Sequence, residues 1–413
     1  MATVKAFKAI RPTPEKAADV AALPYDVYNR EEAREAVVGK PDSFLRVDRP
    51  ETTMDPDIDL YDPAVYRQAR KNLERLISDH ILIQDEQPQF YLYALKMGEH
   101  EQTGLVACTS VDEYLNGTIK KHELTRSEKE QDRIHHVDSC DANTGPIFLT
   151  YRHQEEIDRR VQKIRNEAPL YDFVSDDGIR HRVWHVRNQE DISGFIQDFA
   201  KVPALYIADG HHRAASAVKV AQMRRKEHPG YSGDEPFNYF LSVVFPDNQL
   251  DILDYNRVVK DLNGLTPQDF MTALQEKCEI EAVDQAYRPN SKGQFGMYFE
   301  DQWYKLKIHD ELVEKGDPVK GLDVSVLQEQ ILSPILGIGD PRVDQRIDFV
   351  GGIRGLKELE RRVHTDMQVA FSMYPTSVGE LMAIADAGLL MPPKSTWFEP
   401  KLRSGLFIHK LSK

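Results

Sequence analysis

Apolar and polar residues alternate along the chain between strand-like runs and helical stripes, and the pattern predicts a mixed α/β fold. Lys5–Ile10 has the profile of a first strand, and Asn29–Val38 that of a short helix. Ser43–Val47 reads as another strand. Asp62-Pro63 sets a capping side chain before a proline in the first helical turn. Val65, Ala69, Leu73, Leu76 and Ile77 then recur at helical spacing up to about His80. Phe90–Met97 and Leu105–Val111 predict a hairpin joined by the polar stretch Gly98–Gly104. A densely charged helix is expected over Ser127–Cys140, most of its charges facing solvent, followed by a strand over Ile147–Arg152 and a helix over Ile157–Ala168. Tyr171–Ser175 and Ile179–Val186 form a second hairpin, turned at Asp176-Asp177-Gly178. A helix over Asp191–Ala200 leads to the apolar run Val202–Ala208 and an alanine-rich, then basic, helix over Ala214–Glu227.

Phe237–Phe245 is the most apolar strand, and Leu250–Tyr255 predicts one more. From Thr266 the pattern restarts with a helix to Lys277 and strands near Gly296–Phe299 and Trp303–Ile308. Val324–Leu336 reads as helical, and Phe349 leads through Gly351, Gly352 and Gly355 into a helix over Leu356–Val363. That glycine spacing matches neither phosphate-binding fingerprint, so a packing or turn role is at least as good a reading. A strand over Val369–Met373 and a helix over Ser377–Ala387 follow. The proline-rich tail Met391–Phe407 can be neither a regular helix nor a central strand. Such segments usually fray, but this one keeps aromatics and cations, Lys394 and Lys401 with Ser395 and Thr396, that would suit a binding loop. Three domains are expected: an N-terminal α/β extension (1–112), a catalytic core (113–262) and a C-terminal substrate-binding α/β domain (263–413).

The chain's 413 residues are enough for such domains with buried cores. Its 53 Lys and Arg against 67 Asp and Glu give a formal charge of −14, which argues against nucleic acid as a partner. No apolar run approaches a membrane span, and the N-terminal stretch lacks the apolar core of a signal peptide. Three scattered cysteines suggest neither a disulfide framework nor a zinc site. A cytoplasmic protein acting on small molecules, of open oligomeric state, is the simplest expectation.

Candidate chemistry concentrates in two places. The stretch Ile207–Ala217 reads IADGHHRAASA: a strand, a glycine that permits a sharp turn, and a helix start. A helix N-terminus presents free N–H groups and partial positive charge. His211, His212 and Arg213 there suit a phosphate, and Asp209 suits a metal ion or a hydroxyl proton. The plainer reading is an N-cap aspartate beside partly exposed helix-start histidines. The second place is Gly117–Arg126, GTIKKHELTR, where Lys120, Lys121, His122 and Arg126 flank Glu123. Such cations can hold phosphate while the carboxylate acts as a base.

IADGHHRAASA resembles the signature loop of the ParB/sulfiredoxin-like superfamily. His122-Glu123, Asp209-Gly210-His211-His212-Arg213 and Pro393-Lys394-Ser395-Thr396 resemble, in the same order, three motifs of its free L-serine kinases. The chain as a whole resembles a bacterial domain-of-unknown-function family of about this length. The resemblance implies a ParB/sulfiredoxin-like core, Glu123 as general base and Asp209 as a second catalytic carboxylate. It also implies that His211, His212 and Arg213 face phosphates and that Lys394, Ser395 and Thr396 contact the amino acid or its phosphate. Lys120, Lys121, Arg126 and Arg133 are additions to the shared pattern. The expected reaction is phosphorylation of the L-serine hydroxyl, with Mg²⁺ at Asp209. The sequence carries no Walker A or protein-kinase motif set, so the donor could be ATP, ADP or pyrophosphate. A phosphoserine phosphatase would use the same groups. A ParB-like nucleotide-dependent binding protein should bring a helix-turn-helix and basic surface, neither clearly present.

Overall fold

The computed structural model describes residues 1–125 and 127–412, and its elements are mixed α and β as expected. Contacts divide the chain into two units where three stretches were expected: Met1–Leu250 with Pro400–Lys413, and Asp251–Glu399. The reason lies in strand pairing, because the expected N-terminal extension and catalytic core share one sheet.

In the first unit the strands of the main sheet are β1 (Val4–Lys5), β2 (Phe90–Met97), β3 (His100–Ser110), β4 (Ile119–Lys120), β5 (Ile147–Tyr151), β6 (Tyr171–Val174), β7 (Arg180–Val186), β8 (Leu205–Asp209) and β9 (Tyr239–Pro246). They form a nine-stranded sheet in the order β4-β8-β5-β9-β3-β2-β7-β6, with β1 added to β3. Pairing is antiparallel except for β8 with β4 and β9 with β5, which are parallel. The interior strands are buried almost throughout; β2 reads as a near-continuous apolar run, and β3 does so over Leu105–Cys108, because both faces are covered there. The β2–β3 hairpin turns at Gly98 (φ 58°), so most of the polar stretch expected as a loop is strand.

The five longest helices of this unit are α1 (Pro63–Ser78), α2 (Ser127–Cys140), α3 (Glu155–Arg165), α4 (Gln189–Phe199) and α5 (His211–Glu227). α1 starts as its sequence dictates, Asp62 Oδ1 accepting from Ala64 N at 2.7 Å with proline in the first turn. Ile157, Val161 and Ile164 of α3 and Phe195 and Phe199 of α4 join one core with β5 and β8. A second core gathers Val20, Phe44, Leu45, Val47, Leu73 and Leu76. There Ser43–Val47 departs from its expected strand: Leu45–Asp48 is a short helix, its Leu45 and Val47 packed inward. Among the described residues no strand pairs with this segment, and tertiary packing overrides the local preference.

The second unit is organised on an antiparallel sheet of β10 (Tyr255–Val259), β11 (Cys278–Val283), β12 (Gln294–Phe299), β13 (Gln302–Ile308), β14 (Ile347–Gly351) and β15 (Val369–Ser372), in the order β11-β13-β12-β15-β10-β14. Its longer helices are α6 (Pro267–Gln275), α7 (Leu356–Thr365) and α8 (Val378–Asp386). The stretch expected as one helix over Val324–Leu336 is an α-turn over Asp323–Leu327 widening into a π-helical turn at Gln328–Leu332.

Candidate functional site

The site grows from the end of β8. Along β8, Ile207 faces Leu149 and Asp209 faces Phe148, so two steps on one strand meet one on its neighbour. This bulge re-aims the end of the strand and leaves Asp209 only partly buried while Leu205–Ala208 are buried. Gly210 follows in the left-handed region (φ 93°, ψ 32°) as the N-cap of α5. A Cβ there would lie 3.1 Å from Arg213 Nε, so glycine answers both to the backbone and to the space. The helix begins at His211, earlier than the Ala214 its alanines suggest. Its first intrahelical bond runs from Ala214 N to Gly210 O, 2.9 Å. The N–H groups of His211, His212 and Arg213 therefore have no helical acceptor.

Asp209 is held as an anion. Lys401 Nζ lies 3.0 Å from one carboxylate oxygen, and Gly210 N donates to the other at 2.7 Å. Burial works against the charge, but Lys401, then Arg213, hold the carboxyl far below the usual carboxylate range. Among the tail cations Lys401 was not distinguished by its sequence context; only the return of Pro400–Lys413 to the first unit brings it here.

The parallel pairing of β4 with β8, Lys120 opposite Tyr206, carries the second sequence motif to the same strand end. His122 and Glu123 leave β4 just beyond that pair. The His122 and His211 rings meet edge to face with centroids 4.5 Å apart, and His122 N donates to His211 Nε2 at 3.5 Å. One ligand atom each from His122, Glu123 and His211 can be chosen so that all lie within 4.8 Å of one another. Lys120 Nζ and Arg152 Cζ lie 5.9 and 5.8 Å from the Tyr206 ring centroid, and Lys121 Nζ 5.7 Å from that of Tyr114.

Burial changes the electrostatic role expected of the imidazoles. It pushes His122 down to about 4 and His211 well below the ordinary histidine value, with His122 itself adding to the depression of His211. Both are neutral at pH 7, so they can bind through ring nitrogens but add no positive charge. Fixed positive charge falls to Lys120, Lys121, Arg213 and Lys401.

Beside Arg213 lies a small cavity of about 20 Å³, lined by Tyr25, Asp48, Arg133, His136, Arg213 and Ser404 among others. Arg133 lies 4.2 Å from the Tyr25 ring centroid and pairs with Asp132 at 2.8 Å. His136 Nε2 meets Val47 O at 2.9 Å, and Thr144 Oγ1 donates to Asp48 at 2.8 Å. Two groups of α2 expected at a solvated face, Arg133 and His136, are thus buried, which its charge density alone concealed. Arg213 donates to Pro146 O, so part of its guanidinium anchors the loop.

The structure brings Lys120, Lys121, His122, Glu123, Asp209, His211, His212 and Arg213 into one unit, whereas Arg126 lies outside the described residues. Lys394, Ser395 and Thr396 belong to the second unit. There Ser395 Oγ donates to Pro392 O at 2.6 Å, and Lys394 (φ 58°) offers its carbonyl to Arg257 at 3.0 Å. The Lys394 ammonium lies 5.5 Å from the Tyr255 ring centroid.

The sequence profile of DUF1015, described as a protein of unknown function, matches residues 4–325. No curated protein matches the chain. Among solved structures it is similar to a mutant free serine kinase in complex with AMP, at 14% identity, covering 73% of this chain and 92% of that one with a TM-score of 0.37. It is also similar to C-terminally truncated SbnI from Staphylococcus aureus, at 13% identity, 71% and 82% coverage and a TM-score of 0.37. A conserved hypothetical protein from Pyrococcus furiosus matches at 15% identity, 73% and 94% coverage and a TM-score of 0.35. No helix among the described residues is long and apolar enough to cross a membrane.

Proposed function

Since the chain belongs to the DUF1015 family, whose description assigns no activity, the reaction has to be argued from the site, and we propose a small-molecule phosphotransferase that phosphorylates the hydroxyl of free L-serine. One observation carries the reading: an anionic Asp209 at the bulged end of β8, clamped by Lys401 and followed by a left-handed glycine and the open N-terminus of α5. Phosphoryl transfer is catalysed mainly by positioning and charge neutralisation. The loop supplies backbone N–H groups and Arg213, and β4 with the residue after it supplies Lys120 and Lys121.

In the proposed step Glu123 takes the proton of the acceptor hydroxyl as its oxygen bonds to the terminal phosphorus of the donor. The bond from that phosphorus to its bridging oxygen breaks, and the leaving group is ADP from ATP, AMP from ADP, or phosphate from pyrophosphate. An ionised carboxylate is the hard oxygen donor that suits Mg²⁺, so Asp209 together with the donor's phosphate oxygens would hold it. When bound, Mg²⁺ supplies charge neutralisation at the transferred group. The neutral His211 would offer a ring nitrogen as a hydrogen-bonding group. The assignment of Lys394, Ser395 and Thr396 to the acceptor is a separate part of the proposal, and a raised KM for serine in Lys394→Ala is its test.

The experiment is a donor panel: L-serine and Mg²⁺ with ATP, ADP or pyrophosphate, products followed by phosphorus NMR. Phosphoserine is expected with one of the donors. Glu123→Gln should lower turnover by roughly 10²–10⁴-fold, the range of a general base, and Asp209→Asn by about 10²-fold or more. Phosphate release without phosphoserine would move the reading to a hydrolase. Full turnover in both variants would overturn the residue roles.

A further inference from the structure

The phosphotransfer scheme leaves the buried imidazole of His122 without a role. His122 is 2% exposed, and neither of its ring nitrogens has a hydrogen-bond partner among the described residues. The Ile207 carbonyl lies near enough to favour its charged form slightly, short of hydrogen-bond geometry. A buried polar side chain left without partners calls for an occupant. Its surroundings define which. His211 presents a second buried imidazole with its ring centroid 4.5 Å away, and the half-buried Glu123 adds a carboxylate, all three ligand atoms falling within 4.8 Å.

We propose that His122, Glu123 and His211 bind a divalent transition-metal ion. Two imidazole nitrogens and one carboxylate oxygen are the donor set of open zinc sites, in which a further position is left for water or substrate. Imidazole suits zinc and its neighbours in the first transition row, whereas Mg²⁺ keeps to oxygen ligands. The site is therefore distinct in kind from the oxygen site at Asp209. The fold prepares it from two rigid ends. His122 and Glu123 emerge from β4, fixed by its ladder to β8, and His211 is the first residue of α5. The consecutive pair reaches one point because the chain bends at Glu123 beyond the strand, so the alternation of a regular strand no longer holds there. A carboxylate has two oxygens, so ligation by one leaves the other to face an acceptor.

The inference does not depend on phosphoryl transfer, and its test needs no substrate. The full chain, stripped with chelator and dialysed, is titrated with Co²⁺ as a spectroscopic probe and with Zn²⁺ by calorimetry. One ion per chain is expected, with cobalt absorption typical of mixed nitrogen and oxygen ligation. Glu123→Gln and His122→Ala should each weaken binding by at least the roughly 10- to 100-fold that loss of even an outer-sphere partner costs a metal site. Asp209→Asn should leave binding in place. Should His122→Ala not fold, the half-buried Glu123→Gln variant, checked by circular dichroism, still decides the matter. Absence of stoichiometric binding to the wild-type chain, or equal binding by wild type and Glu123→Gln, would overturn the proposal whatever the donor panel shows. Metal binding without phosphoserine would overturn only the kinase reading.

Discussion

At the level of single residues, the decisive group is Asp209, and its partner decides how it behaves. The Lys401 ammonium at 3.0 Å stabilises the ionised carboxylate in a partly buried place. Lys401→Met should therefore cost about 1–3 kcal/mol of stability, the penalty of stranding a charged acceptor. The pH dependence follows from the depressed carboxyl. The pair's contribution is complete above the unfolded carboxyl range, about pH 4, and is lost as pH falls through the lower folded-state value. The stability gap between wild type and Lys401→Met should be flat near neutrality and close in acid, as denaturant midpoints at several pH values would show. A gap unchanged in strong acid would mean that Lys401 acts through packing alone. The strand, turn and helix start at Asp209–Arg213 were legible in the sequence, because they are local signals. The sequence named Lys401 among the tail cations but could not pair it with Asp209, since that contact depends on where the distant tail returns. Nor could it reveal that His122 and His211 are neutral, since that is a property of burial.

Secondary-structure elements were legible where their signals were local and closed. The capping of α1, the β6–β7 hairpin and the strand feeding the central helix all follow from spacing and turn chemistry. The pairing that assembles the site was not legible: β4 is two residues long, too short for any periodicity, yet it delivers Lys120–Glu123 to β8. The bulge between Ile207 and Asp209 was equally invisible, being a relation between strands. In the second unit, the segment Asp323–Leu327 carries a titratable strain of its own. Asp323 is 7% exposed, and burial pushes its carboxyl up to about 6, although both oxygens accept from Gly293 N, at 3.0 and 3.2 Å. Folding thus favours the protonated form. Its contribution is full below the unfolded value near 4 and is lost as pH rises through about 6. Asp323→Asn, which can still accept from Gly293, should remove that loss. The variant should gain about 2–3 kcal/mol over wild type between those limits, readable as a melting difference that grows with pH. No pH-dependent difference would assign Asp323 a carboxyl of ordinary acidity.

For the molecule as a whole, the tail is where expectation and structure part most. Proline-rich segments such as Met391–Phe407 usually fray, and regular structure there is confined to Trp397–Glu399. Yet Leu402, Leu406, Phe407 and Ile408 of the returning segment are all at most 3% exposed. Irregular backbone can be buried when its polar groups find partners, and these do. Ser404 exchanges backbone hydrogen bonds with Ala22, Ile408 with Ile10, and His409 pairs with Asn143. Phe407 packs 4.9 Å from the Tyr91 ring, and Gly405 (φ 86°) sits where a Cβ would approach Phe44 Cβ to 2.5 Å. Four buried apolar side chains at about 1.5–3 kcal/mol each amount to roughly 6–12 kcal/mol. That sum is comparable to the whole stability of a domain, about 5–15 kcal/mol. A chain ended after Glu399 should therefore fail to hold the first unit folded. In hydrogen exchange, β2, β3, β5 and β8 should lose their protection. The second sheet, whose six strands all fall within 251–399, serves as the internal reference and should keep its own. Retained protection in β8, with turnover lost, would mean instead that the segment serves the reaction through Lys401 and is dispensable for the fold. The two outcomes separate the structural and chemical duties of the same short segment.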